Sequence, residues 1–339
     1  MKTLKIVQLI VWLLIITFLV VVLILFALGR VNFASFIKTE KQVELLQQTE
    51  DMKGISGITF DLYSADVVIK PSASDEISIN YRGPESLKDD PDLTVTVNDG
   101  QLTIKQKETP QMFFFWVWSS TPRILEITLP ESYSDDLIFG NTSGDLTISG
   151  DYQLSSFRTH LTSGDMSLGD ISSTDFSIDS TSGNVDLGSI DAEDINISLT
   201  SGQIKAKALN GDGSIGTISG DIRIDSLTGN TRISATSGDI TVSSLTGAGS
   251  VACTSGDIRV NVTGSLGDLS IKTSSGGVDV SLEKDTSYNI DANCTNGDVS
   301  ANFPLIYSNG KNNATGQSGS GASNQLTIRT MAGDINLAA

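Results

Sequence analysis

The chain has 339 residues and a formal net charge of −18, from 40 acidic and 22 basic residues, and only 6% of its residues are aromatic. The excess of acid argues against a nucleic-acid partner, since affinity for phosphate backbones depends on clustered Lys and Arg. One histidine and two cysteines exclude His-rich and Cys/His metal frameworks and a disulfide-dense scaffold.

The first predicted element is a transmembrane helix over residues 6–28. These 23 residues carry no charge and are interrupted only by Gln8 and Thr17. A helix of this length spans about 34 Å, which is enough for a hydrocarbon core of about 30 Å. A cleaved signal peptide is the alternative, but its apolar region is normally about 7–15 residues long. We therefore expect an uncleaved signal anchor held in membrane lipid.

Charge sets the orientation of this anchor. Lys2 and Lys5 precede it, and beyond Arg30 the chain becomes mixed and then acidic. Residues 1–5 are therefore expected in the cytoplasm and the chain after the anchor outside it. Residues 29–54 are predicted to be a juxtamembrane stalk, either helical or a flexible spacer.

A repeat of about 18–20 residues occupies residues 140–339. Thr-Ser-Gly-Asp or a near variant recurs, with its glycine at residues 144, 164, 183, 202, 220, 238, 256, 276, 297 and 333. Apolar residues stand two and four positions after the glycine, with a polar residue between them, as in Ile222-Arg223-Ile224. This alternation is typical of a strand with one buried face.

The repeats are predicted to stack as a β-solenoid, since no single repeat can bury its own apolar face. Successive turns would lie about 4.8 Å apart. A β-sandwich of short hairpins is the alternative, but it gives no reason for the same corner sequence at every turn.

The register of the repeat extends back through residues 55–139, which are predicted to be degenerate turns. With Ala65 or Gly100 at the glycine position, apolar residues again fall two and four positions later. Residues 307–324, rich in Gly, Ser and Asn, are predicted to be a flexible insertion. We expect one elongated domain over residues 55–339.

The strands around Ile55–Ile69 and Arg123–Pro130, followed by serial Ser-Gly-Asp turns, resemble the DUF4097 family. This is a bacterial β-strand-repeat family known as a "putative adhesin" family, and the resemblance covers nearly all of residues 55–339. It implies a right-handed β-helix in the bacterial cell envelope, in a family often encoded near envelope-stress regulators. It implies no catalytic residues.

The aspartate that follows the glycine recurs in most repeats. Asp221, Asp239 and Asp257 are expected to be neighbours about 5 Å apart in the stack. We interpret them first as turn residues whose carboxylates accept backbone N–H bonds. The alternative is a row that binds a divalent cation, and we expect at most weak, low-millimolar Ca²⁺ binding centred on Asp239. No other cofactor is expected.

A dense aromatic run lies between two of the predicted strands. It is expected to cap the open end of the solenoid. Its alternatives are a partner surface or a belt at the membrane interface, where Trp is favoured. The residues concerned are Phe113, Phe114, Phe115, Trp116 and Trp118.

The remaining candidate groups favour a non-catalytic protein. His160 is predicted to face solvent beside an inward Leu161, and no Ser/His/Asp set can be assembled without it. Cys253 and Cys294 are expected to be core residues two turns apart, beyond the reach of a disulfide, with Thr273 between them.

We therefore expect a membrane-anchored envelope protein with an adhesin-like surface for an extracellular or envelope protein or polymer. A regulatory or sensory ectodomain in the envelope-stress response is the first alternative. Its signal would have to pass through a partner membrane protein, because only residues 1–5 reach the cytoplasm. A polysaccharide-active β-helix enzyme is the less favoured alternative.

Overall fold

The computed structural model describes residues 17, 37–38, 40–107, 118–119, 121–283, 286–319 and 321–339. Residues 1–5, the predicted membrane span (Thr17 apart) and residues 29–36 of the predicted stalk lie outside this set. None of the helical segments among the described residues has the length and apolar character of a membrane span.

From residue 40 onward the described chain is built of strands, with one 3₁₀ turn at Glu85–Leu87. The strands in chain order are β1 (Ile37–Lys38), β2 (Gln42–Asp51), β3 (Gly57–Leu62), β4 (Ala65–Ser72), β5 (Glu76–Pro84), β6 (Leu93–Asn98), β7 (Gln101–Gln106), β8 (Trp118–Ser119), β9 (Arg123–Pro130), β10 (Asp136–Ser143), β11 (Leu146–Ser163), β12 (Met166–Ser182), β13 (Val185–Ser201), β14 (Ile204–Ser219), β15 (Ile222–Ser237), β16 (Ile240–Ser255), β17 (Ile258–Ser275), β18 (Val278–Leu282), β19 (Tyr288–Asn296), β20 (Val299–Ala301), β21 (Leu305–Ser308), β22 (Asn313–Ser318), β23 (Asn324–Ala332) and β24 (Ile335–Ala338).

The long strands β11 to β17 form a solenoid-like stack, which confirms the predicted repeat. Each of them makes most of one turn and pairs in parallel with the next turn along most of its length, with irregularities of register between β11 and β12, β13 and β14, and β16 and β17. Ile222 pairs with Ile240, and Ile240 pairs with Ile258. Equivalent positions of successive repeats therefore form straight columns along the stack.

The inward columns make one continuous apolar core. Ile222, Ile240 and Ile258 are fully buried, and the same core continues from Leu45 to Leu337. Full burial of one such side chain contributes roughly 1.5–3 kcal/mol. Because each turn offers several of these residues to the turns beside it, the stack is stabilised only as a whole.

Glycine is required at the corner of each regular turn. Gly238 has φ +128°, a conformation that side chains disfavour, and a Cβ placed there would lie 2.1 Å from the carbonyl oxygen of Gly220. The invariance of this glycine along the chain therefore follows from both its backbone angle and the approach of the neighbouring turn.

At the end of the stack that contains β2, here called the proximal end, the order of the turns along the stack differs from their order along the chain. The turn formed by β3 and β4 lies between the turn of β7 and β9 and the turn of β10 and β11. Antiparallel strands then finish this end: β6 pairs with β7 on one face, and β5 and β2 follow β9 on the other.

The register predicted from Ala65 is confirmed, but the register predicted from Gly100 is wrong. Val67 pairs with Leu146, as expected for a residue two positions after a corner. Leu102, expected at the same position, instead pairs with Ile58, which precedes a corner. The reason is that Asp99 (φ 49°) and Gly100 (φ 78°) form the tight turn of an antiparallel hairpin between β6 and β7.

Part of the segment predicted to be a stalk belongs to the folded domain. Residues 42–51 form β2, which pairs with β5 along its whole length and places Leu45 in the core. The domain therefore begins before residue 55.

At the opposite end, here called the distal end, the order of the strands along the stack again differs from their order along the chain. β23 lies between β17 and β19, and β24 lies between β18 and β20. The segment expected to be a flexible insertion, residues 307–324, contains most of the hairpin of β21 and β22, which extends the sheet beyond β19.

Because β23 lies between β17 and β19, the two cysteines lie further apart than the sequence predicts. Along their column the order is Cys253, Thr273, Thr330 and Cys294, so the two thiols are three turns apart rather than two. That separation is about 14 Å. Both cysteines are free and buried.

Candidate interaction surface

The Thr-Ser-Gly-Asp corners form an exposed ridge along the stack, here called the corner ridge. It consists of the two residues before each corner glycine and the one after it. The threonine column is exposed at Thr142, Thr162, Thr181, Thr200, Thr236 and Thr254. Ile218, which is 54% exposed, interrupts this column. Because turns repeat every 4.8 Å or so, the ridge presents hydroxyl groups at a regular spacing.

The aspartates of the corner ridge bind the next turn through its backbone. Oδ1 of Asp221 accepts the N–H of Asp239 at 2.9 Å, and Oδ1 of Asp239 accepts the N–H of Asp257 at 2.9 Å. Asp257 does the same for Gly277. The sequence predicts backbone acceptors here, and the structure shows that the donor belongs to the neighbouring turn.

Arginines offset the charge of this carboxylate column. Arg223 donates to Asp221 at 2.9 Å. Arg259 lies 3.0 Å from Asp257, 3.8 Å from Asp239 and 3.6 Å from Asp279. Since these side chains are about half exposed, each pair contributes little stability, but together they reduce repulsion along the column.

The geometry matches the turn interpretation of the aspartates better than the metal interpretation. Oδ1 of Asp221, Asp239 and Asp257 already accepts a backbone N–H. Within the described ranges, no three His, Cys, Asp or Glu side chains are grouped to hold a metal ion.

A buried polar network lies at the proximal end. The Asp92 side chain is 5% exposed and accepts hydrogen bonds from Tyr81 Oη at 2.7 Å and Arg123 Nε at 2.9 Å. Gln106 Nε2 also donates to Asp92, at 3.2 Å. Burial, and then the Asp92 carboxylate, raise the pKa of Tyr81 well above its ordinary value, so the phenol stays protonated.

Gln106 also supplies a hydrogen-bond acceptor at the Ala65 corner. On one side of this corner, the carbonyl of Tyr63 accepts the N–H of Ser143 in the neighbouring turn, at 2.8 Å. At the Ala65 corner, the side-chain oxygen of Gln106 accepts the N–H groups of Tyr63 and Ser64, at 2.9 and 3.0 Å. Sequence reasoning missed this network, because its members come from separate elements with no common spacing.

Of the aromatic run, the structure describes only the last residue, Trp118. Phe113, Phe114, Phe115 and Trp116 lie outside the described residues. The backbone of Trp118 pairs in parallel with Ile37 in the two-stranded sheet of β1 and β8. The end of the run therefore lies beside the chain that follows the predicted anchor.

The single histidine lies on the exposed surface, as predicted. His160 Nδ1 is 3.4 Å from Oδ2 of Asp179, and both side chains are about two-thirds exposed. Two depressions occur elsewhere, of 520 and 440 Å³. The first is lined by residues such as Asp51, Asp75 and Tyr133, and the second by residues such as Ser172 and Glu193. Neither of them contains His160.

Residues 55–243 and 212–338 match the model of the Toastrack DUF4097 family. No curated protein is similar enough to count as a relative. Solved structures also match, and three of them are described below.

The first is a "putative cell adhesion protein" from Clostridium sporogenes, 14% identical with a TM-score of 0.26, over 88% of this chain and 99% of that one. The second is a "putative lipid binding protein" from Parabacteroides distasonis, 15% identical with a TM-score of 0.43, over 86% and 96%. The third is a "putative adhesin" from the same organism, 12% identical with a TM-score of 0.38, over 88% and 97%.

Proposed function

Since this chain belongs to the Toastrack DUF4097 family, we propose that it is a non-catalytic, membrane-anchored protein of the cell envelope. Its stack of turns lies outside the cytoplasm and serves as an adhesin-like binding surface. We also expect the turns to wind in the right-handed sense.

The anchor and the fold together orient the molecule. The uncharged run of residues 6–28 holds the chain in the membrane, with Lys2 and Lys5 on the cytoplasmic side. The first strands after it, β1 and β2, lie with β8 and β5. The chain therefore enters the stack at its proximal end, and the distal end points away from the membrane.

The observation that carries the binding role is the corner ridge. Exposed threonines and aspartates stand side by side at most turns, in the parallel register of the stack, with Ile218 in place of a threonine and Asn184 and Gln203 in place of aspartates. A ligand built from repeated units with a similar spacing can form the same hydrogen bonds at each turn, so weak contacts add along its length.

The negative net charge of the protein limits the kinds of ligand that can bind the corner ridge. The protein carries a net charge of −18, and a polyanion would be repelled. We therefore propose an uncharged or cationic envelope polymer, or an extended protein, that offers hydroxyl, amide or amino groups to the threonine and aspartate columns.

The test is binding of the full-length protein in nanodiscs to isolated envelope polymer fractions. Thr162→Lys combined with Thr200→Lys places two charges two turns apart on the corner ridge, and we expect binding to fall at least tenfold. Ser172→Lys with Asn210→Lys is the matched control, because these exposed residues are also two turns apart but lie on another edge of the stack.

Equal losses in the two double variants, or no polymer binding by the unchanged protein, would contradict the proposal. Specific capture of a membrane protein in place of polymer would instead support the regulatory ectodomain.

A further inference from the structure

The distal end of the stack finishes in an edge strand. β21 pairs on one side with β22, and no other strand in the described part of the chain pairs with it. The backbone N–H and C=O groups on its free side are a template for the addition of another strand.

The free edge is apolar and uncharged. Leu305 packs against the core, but Ile306 is 75% exposed and Tyr307 is 40% exposed. Ile306 is the most exposed of the large apolar side chains that the structure describes. β21 itself contains no charge and no proline, which are the residues that usually block strand addition.

The charge of the surrounding segment differs from that of the rest of the stack. Residues 140–298 contain 21 acidic residues, whereas residues 299–333 contain none. Lys311 lies in this segment, and its Arg329 is paired with Asp291 of β19. Two copies of a strongly acidic protein repel each other least where such an acid-free segment meets its own copy.

We propose that two copies of this protein pair through β21, with the two strands antiparallel about a two-fold axis. An antiparallel strand pair is self-complementary, so the contact closes as a dimer and does not propagate as a filament. Ile306 and Tyr307 of each copy become covered, and the two sheets join into one.

The consequence for adhesion rests on the proposed function. If the distal end points away from the membrane, the paired strands connect copies on two facing membranes. One contact between four-residue strands is small and therefore weak, but many copies on each surface act together.

The experiment measures association of the full-length protein in nanodiscs by sedimentation velocity, at concentrations up to about 0.1 mM. The unchanged protein should form dimers, and Ile306→Lys should weaken the association at least tenfold. Ile138→Lys is the matched control, because Ile138 is an exposed isoleucine of β10, outside both β21 and the corner ridge, and it should associate like the unchanged protein. All variants should keep the same melting midpoint, since both side chains face solvent.

A charge-swap arm tests that the partner is a second copy. Ile306→Glu alone should also fail to associate, and an equimolar mixture of Ile306→Lys with Ile306→Glu should recover the dimer. Absence of a dimer, equal loss in Ile306→Lys and Ile138→Lys, or no recovery in the mixture would overturn the proposal.

Clustering of liposomes that carry the protein separates this inference from the proposed orientation. Dimers in nanodiscs without clustering would support strand pairing and contradict an outward-pointing distal end. Clustering that Ile306→Lys abolishes would support both.

Discussion

The carboxylate of Asp239 accepts the backbone N–H of Asp257 at 2.9 Å, and Asp257 occupies the same position one turn further along the stack. The aspartate side chain of one corner is thus hydrogen-bonded to the backbone of the next corner. The same bond joins Asp145 to Asp165 and Asp165 to Asn184. The repeated aspartate is therefore a connector between turns as well as a surface charge.

Removing this connector should destabilise the stack. Asp239→Ala leaves the N–H of Asp257 without its acceptor and should lower the free energy of unfolding by about 1 kcal/mol. Asp239→Asn should cost clearly less, because the amide oxygen of Asn184 already accepts the N–H of Gln203 at 3.1 Å. Urea unfolding followed by circular dichroism measures both. Equal costs for Ala and Asn would show that the carboxylate charge matters and the hydrogen bond does not.

Neighbouring glycines at one corner should respond in opposite ways to alanine. Gly276 has φ +146°, and a Cβ there would lie 2.1 Å from the carbonyl oxygen of Gly256. Gly276→Ala should therefore cost about 3 kcal/mol or more. Gly277 has no such strain and its nearest atoms would be 3.7 Å away, so Gly277→Ala should change stability by less than about 1 kcal/mol, in the stabilising direction. Similar melting midpoints for the two variants would contradict the described corner.

The alternation of buried and exposed positions can be tested at one pair of residues. Ile240 is fully buried, and Ile240→Asp places a carboxylate in the apolar core, at a cost of at least about 3 kcal/mol. Thr241 lies outward between Arg223 and Arg259, so Thr241→Asp should be nearly neutral. Thermal unfolding compares the two variants, and equal tolerance would mean that the register is wrong.

The buried ion pair at the proximal end should matter far more than an exposed pair of the same chemistry. Arg123→Ala leaves the buried carboxylate of Asp92 without its cation and should cost about 3 kcal/mol. Arg158 and Asp175 form an ion pair 3.2 Å apart with both side chains about half exposed. Arg158→Ala should cost less than about 1 kcal/mol. Equal effects on the unfolding midpoint would show that the network does not hold the proximal end together.

The repeated turns were predictable because their signals are local. Alternation along Ile222-Arg223-Ile224 indicates the buried face, and the recurrent glycine indicates the corner. Even the corner at Ala65, which lacks the glycine, follows from the same spacing. The role of the aspartates as turn acceptors was also predictable, but the identity of the donor depends on which turn lies next to them.

The ends of the stack could not be predicted from the repeat alone. Parallel pairing is set by three-dimensional contacts, so nothing in the spacing places β3 between β7 and β10 or β23 between β17 and β19. Two local signals do mark these ends. Asp99-Gly100 and Asn309-Gly310 have positive φ at both residues and form the turns of the hairpins at the proximal and distal ends.

The most direct test of an anchored, outward-facing stack is labelling of Thr162→Cys by a membrane-impermeant maleimide in right-side-out membrane vesicles. Thr162 is exposed on the corner ridge. The native thiols give little background, because Cys253 and Cys294 are 5% and 2% exposed and burial raises the pKa of both. We expect Thr162→Cys to be labelled in intact vesicles and Thr3→Cys, which leaves Lys2 and Lys5 in place, to be labelled only after the membrane is permeabilised. Labelling of Thr3→Cys in intact vesicles with protection of Thr162→Cys, or release of the labelled protein from the membrane by carbonate, would contradict the account.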